Sequence, residues 1–132
     1  MTADELLQQA LAARDNAYAP YSHYAVGAAL LCADGCIFTG SNVENASYGL
    51  TMCAERNAVF HAVAEGRRDF CAIAVCGAGD APAYPCGACL QVMAEFAPEM
   101  AVYVGDDKGK LLTATTVQAL LPTKFELSQE RE

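Results

Sequence analysis

Met52-Cys53-Ala54-Glu55-Arg56-Asn57 and Pro85-Cys86-Gly87-Ala88-Cys89 are the two stretches around which the chain is organised. Together they supply three cysteines and one carboxylate. Three thiolates, from Cys53, Cys86 and Cys89, hold Zn²⁺ tetrahedrally and leave a fourth position for water, the pattern of a catalytic rather than a structural zinc. Glu55, two residues after the first cysteine, is placed to handle the protons of that water. A lone Cys-x-x-Cys is a weak signal, shared with redox pairs and structural half-sites. The conjunction with Cys-Ala-Glu is specific, and one zinc per chain is expected.

Both segments read as helix starts. Free N–H groups and a dipole end of about +0.5 charge are therefore expected beside the metal. That matters because three thiolates and Zn²⁺ sum to about −1. Arg56, three residues after Cys53, lies on a neighbouring helical face and is proposed to draw charge from the thiolates. A surface salt bridge is the plainer role for it.

Outward from these motifs, the chain of 132 residues suits one domain, residues 1–132, with one core. More than half of it is apolar, yet no run approaches a membrane span. The start, Met1-Thr2-Ala3-Asp4-Glu5, lacks the basic-then-apolar order of a signal peptide, and a soluble cytoplasmic protein is expected. Seven cysteines without an export signal argue for reduced thiols and against a disulfide framework. The net charge of −8, with eight Lys and Arg, argues against a polynucleotide partner and for a small-molecule substrate. Cys32 and Cys36 have no neighbour to complete a ligand set. His23 and His61 lack ligand spacing to the cysteines, and structural or exposed positions are expected for both.

Periodicity predicts a helix over 4–16, capped by Thr2 or Asp4 and broken at Pro20. A strand over 24–31 turns at Asp34-Gly35 into a second over 36–43. A loop follows over 45–50, then a helix over 52–65 with Thr51 as its cap. A strand over 70–76 reads as covered on both faces, with Cys71 and Cys76 as small buried hydrophobes. A loop over 77–84 leads to a helix from Cys86 or Gly87 to Phe96. Strands over 100–104 and 110–113 flank a turn too short for a crossover, so they must be antiparallel. Thr115 or Thr116 caps a closing helix that stops before Pro122, and the polar tail from Ser128 is expected to fray. The expected fold is α/β: a mixed five-stranded sheet between helical layers, its last two strands antiparallel.

Over nearly its whole length the sequence resembles the small homotetrameric, zinc-dependent cytidine deaminases. The residues that carry the resemblance are Ala19-Pro20-Tyr21-Ser22, Val26-Gly27-Ala28-Ala29-Leu30, Asn42-Val43-Glu44-Asn45-Ala46-Ser47-Tyr48, Cys53-Ala54-Glu55-Arg56, Pro85-Cys86-Gly87-Ala88-Cys89 and Leu120-Leu121-Pro122. The resemblance implies a three-layer α/β/α fold and hydrolytic deamination of cytidine and 2′-deoxycytidine in pyrimidine salvage. It implies that Glu55 carries protons from water to N3, that Asn42 and Glu44 bind the ribose, and that Arg56 tempers the thiolates. The N–H of Ala54, at a helix start, can donate to the pyrimidine carbonyl. Tyr24 stands where the family usually has a Phe against the base, and Tyr48 resembles a further pocket position. Phe125 matches an aromatic that reaches a neighbouring subunit's site, so a homotetramer with shared sites is implied. Leu90 departs from the family's usual Arg after the last cysteine, which bears on the charge balance or the subunit contact.

Without the resemblance, Asn42 and Glu44 read as polar residues at a strand end, and Tyr24 and Phe125 as core. Other readings of the whole are a deaminase for a modified nucleoside, a thiol redox protein using Cys86 and Cys89, and a non-catalytic zinc module. Retained Asn42 and Glu44 speak against the first. Cys53 and Glu55 go unused in the second, and Glu55 has no task in the third.

Overall fold

Thr2 starts the first helix with a reciprocal cap. Its hydroxyl accepts from the Glu5 N–H at 3.1 Å, and the Glu5 carboxylate reaches back to Thr2. The computed structural model describes residues 1–127, so the tail expected to fray from Ser128 lies outside the described residues. The elements are α1 (Ala3–Arg14), β1 (Gly27–Cys32), β2 (Ile37–Ser41), a 3₁₀ turn (Tyr48–Leu50), α2 (Ala54–Ala64), β3 (Phe70–Cys76), α3 (Gly87–Phe96), β4 (Ala101–Gly105), β5 (Leu111–Thr116) and α4 (Val117–Leu120).

The five strands form one mixed sheet in the order β2-β1-β3-β4-β5. β1 pairs antiparallel with both β2 and β3, β3 is parallel to β4, and β4 and β5 are antiparallel as expected. Leu6, Leu7 and Ala10 of α1 bury against Ala29, Ala72 and Ala74 on one face. On the other, α2, α3 and α4 cover Leu30, Ile73, Val102 and Val104 with Val59, Met93 and Val117. Apart from Cys71, the strand residues of β3 are thus shielded on both sides, as its apolar run demands.

Two glycines set how closely the helices approach. A Cβ at Gly27 would collide with the backbone of Ala10 and Arg14 in α1. One at Gly40 would collide with the Ala54 carbonyl and Ala58 amide in α2. The second contact seats the first turn of α2 directly on β2.

Several boundaries differ from those expected, each for a local reason. β1 begins at Gly27 rather than Tyr24, because the Tyr24 carbonyl and Val26 N–H bond to the Asn42 side chain instead of a neighbouring strand. β2 stops at Ser41 because the Asn42 carbonyl and Glu44 N–H turn to Tyr18. Helix α2 starts two residues late. Met52 is extended, exchanging both backbone bonds with Val43, and the Thr51 N–H closes the 3₁₀ turn on Tyr48, so Cys53 takes the N-cap. β5 runs on to Thr116, whose hydroxyl caps α4 through the Ala119 N–H at 3.1 Å. Cys76 is buried, but Cys71 is exposed. Leu31 pairs with Ala72 and Cys32 with Phe70, which leaves Cys71 as the extra residue of a bulge that turns it outward.

Candidate active site

Cys53 is the N-cap of α2, Cys86 is the N-cap of α3, and Cys89 lies buried in the first turn of α3. Neither capping cysteine spends its sulfur on a cap hydrogen bond. The sheet brings the two helix starts together, and the three Sγ atoms lie within 4.8 Å of one another. Cys53 and Cys86 are 3.9 Å apart, Cys86 and Cys89 3.6 Å. Tetrahedral zinc–thiolate bonds of about 2.3 Å put sulfurs about 3.8 Å apart. These two separations match that spacing, and the third is no more than 4.8 Å.

The electrostatics of the thiols fit it too. Hydrogen bonding from Cys89, and then from Arg56 and Cys86, pulls the Cys53 thiol down to about 5. The Cys53 sulfur and burial push Cys89 far up. A dication beside the sulfurs favours their ionised forms. Arg56 is held firmly protonated, and its Nη2 donates to Cys53 Sγ at 3.4 Å. The contact is with a candidate ligand sulfur rather than with a surface carboxylate. Its Nε is buried without a hydrogen-bond partner among the described residues. Leu90, where a second cation would stand, is 6% exposed and packs in the core.

Glu55 is 5% exposed, and its carboxyl is pushed up to about 7, first by burial and then by the charge of Cys53. It opens onto a cleft of about 470 Å³ whose wall includes Tyr24, Asn42, Ala54, Cys53 and Cys86. Sequence reasoning missed Pro82, Ala83 and Tyr84, which close the cleft from the loop before α3. The Pro-interrupted composition of that loop was the available signal, since it marks an irregular connection at the mouth of a ligand segment.

Asn42 and Glu44 both lie just beyond β2, which ends at Ser41, and they line different spaces. Asn42 lines the cleft, with Oδ1 accepting from the Val26 N–H at 2.8 Å and Nδ2 donating to the Tyr24 carbonyl at 2.9 Å. Glu44 lines an adjoining hollow of about 350 Å³ with Tyr21, Ser22 and Tyr48; Thr51 borders both spaces. Its carboxylate accepts from the Ser22 hydroxyl and from the Ser22 and Tyr21 N–H groups, which hold it below the usual carboxylate range. Tyr48 is 74% exposed, edge-on to Tyr21 with ring centroids 6.1 Å apart. Phe125 is 68% exposed and takes no part in the cleft of its own chain. His23 and His61 are both exposed, away from the sulfurs.

A mixed sheet that gathers two helix starts, a cluster of three thiols and a buried carboxylate beside one cleft defines a zinc-binding domain of the deaminase class. Residues 1–105 match the family described as "Cytidine and deoxycytidylate deaminase zinc-binding region". The chain belongs to that family. The cytidine deaminase of Halalkalibacterium halodurans is 54% identical over 121 residues, 91% of each chain. That of Sporosarcina psychrophila is 48% identical over 126 residues, covering 95% of this chain and 92% of the relative. The crystal structure of cytidine deaminase from Burkholderia pseudomallei superposes with a TM-score of 0.90 at 51% identity, covering 95% of this chain and all of the other. Among the described residues no helix is long and apolar enough to cross a membrane.

Proposed function

We propose that residues 1–132 act as one catalytic domain that hydrolyses cytidine and 2′-deoxycytidine to uridine and 2′-deoxyuridine, releasing ammonia, in cytoplasmic pyrimidine salvage. The observation that carries this reading is Glu55: a buried carboxyl poised near neutrality beside three clustered thiols, at the floor of a cleft of nucleoside size. Cys53, Cys86 and Cys89 would hold the zinc. When bound, it supplies the Lewis acidity that brings the pKa of water from 15.7 toward ~7. As water adds to C4, Glu55 takes its first proton and delivers it to N3; it then takes the second proton, from the new C4 hydroxyl, and gives it to the amine that leaves as ammonia when the C4–N bond breaks. A carboxyl near pH 7 suits both directions of transfer.

The other residues bind and orient. The Ala54 N–H, at the first position of α2, has no partner within the helix and donates to the pyrimidine 2-carbonyl. The Tyr24 ring packs on the base. Asn42 keeps one Nδ2 hydrogen free after its two backbone bonds, and Glu44, which accepts three hydrogen bonds, keeps about one acceptor site; both are directed to sugar hydroxyls. Tyr48 borders the hollow beside Glu44. Phe125 acts in a neighbouring chain's cleft, within a homotetramer. Its exposed ring and the open mouth of the cleft support that arrangement.

The test is an ultraviolet assay of cytidine, deoxycytidine and free cytosine, with zinc analysis on the same sample. Both nucleosides are expected to turn over with one zinc per chain. Cytosine is expected to be poor, because sugar contacts position C4. Equal kcat/KM for base and nucleoside would remove the sugar role of Asn42 and Glu44.

A further inference from the structure

Gln91 lies two residues beyond Cys89 on α3, about 200° round the helix from it. Its side-chain amide takes both backbone polar groups of a single distant residue. Nε2 donates to the Phe125 carbonyl at 2.9 Å, and Oε1 accepts from the Phe125 N–H at 3.0 Å. The segment is thus pinned at Phe125, while the ring of that residue stands in solvent and outside its own cleft. An aromatic ring held out on a fixed backbone is pre-organised for a contact the single chain does not make.

We propose that Gln91 is a positioning residue. It registers the Phe125 backbone against the helix that carries Cys89, so that the ring enters the cleft of a second copy of this chain in a set direction. The proposal rests on the reading of Phe125 as a shared-site residue. Gln91 does not line the cleft and acts through Phe125 alone.

The experiment uses the zinc-loaded full chain. Gln91→Leu removes both hydrogen bonds at similar volume. Zinc content and oligomer mass should be unchanged, amide hydrogen exchange at Phe125 should accelerate, and kcat/KM should fall about tenfold, mainly through KM. Combined with Phe125→Ala, it should cost no more than Phe125→Ala alone, because the two act as one unit. Gln91→Glu keeps the acceptor but sets a carboxylate oxygen against the Phe125 carbonyl, and should lose exchange protection at Phe125 and kcat/KM relative to the parent. Additive losses in the double variant, or unchanged exchange at Phe125 in Gln91→Leu, overturn the proposal. If Gln91→Leu does not fold, parental exchange and kcat/KM in Gln91→Glu overturn it. A fully active Phe125→Ala sinks the shared-site reading and the proposal together. An impaired Phe125→Ala beside normal Gln91 variants sinks the proposal alone.

Discussion

At the scale of single residues, Glu55 carries the sharpest expectation. Glu55→Gln keeps shape and burial but cannot carry a proton, so zinc and fold should survive. Turnover should fall by at least the upper part of the ~10²–10⁴ range of general acid–base catalysis. A variant within about tenfold of its parent would remove the role. Glu44 gives a pH signature of a different kind. Its folded pKa is depressed, so the anchoring it gives Tyr21 and Ser22 is present above the ordinary value of ~4.3 and is lost as pH falls through the lower folded value. The two amide resonances should shift together with a midpoint below ~4.3; a midpoint at or above it would mean the contacts do not form in solution. The clustering of Cys53, Cys86 and Cys89 beside a buried Glu55 was legible because ligand chemistry imposes spacing on the chain. Gln91 was not, since a side-chain amide bonding a backbone 34 residues away leaves no local pattern. Nor was the outward turn of Cys71, because a bulge inside an apolar run is set by its partner strand.

At the scale of elements, the position of α2 decides where Cys53 and Glu55 stand. Gly40→Ala would drive a methyl into the backbone at Ala54 and Ala58, and backbone cannot rotate aside. The expected cost is about 1–3 kcal/mol, read as a lower denaturant midpoint with unchanged slope. Gly49→Ala, where nothing lies within 4 Å, is the control and should be near neutral. Equal effects at both sites would mean that Gly40 does not set the packing. β3 and α3 were readable almost to the residue: an apolar run with sharp flanks marks the first, a Pro-Cys-x-x-Cys entry the second. The ends of β1 and β2 were not, because the side chain of Asn42 intercepts backbone groups that alternation alone would assign to the sheet.

At the scale of the whole molecule, the separation of Phe125 from its own cleft sets the test of assembly. Glu55→Ala and Phe125→Ala tetramers should each be impaired at every site. Co-expressed, they should form hybrids in which an intact Glu55 meets an intact Phe125 from another chain, and activity should exceed the sum of the parents. Hybrids seen by mass with merely additive activity would rule out action across the interface. Sheet order came within reach of the sequence through family resemblance alone; periodicity does not carry it.

Three free sulfurs within 4.8 Å, one of them on the solvent-exposed Cys86, also have a history once the metal leaves. Any two are near enough to be joined by a two-electron oxidant, each pair surrendering two protons and two electrons to form a disulfide. The ion is thus a protecting group for its own donors. Chelated protein left in air should progressively lose its capacity to reload zinc and regain it after thiol reductant, whereas protein stored with the metal in place should keep that capacity.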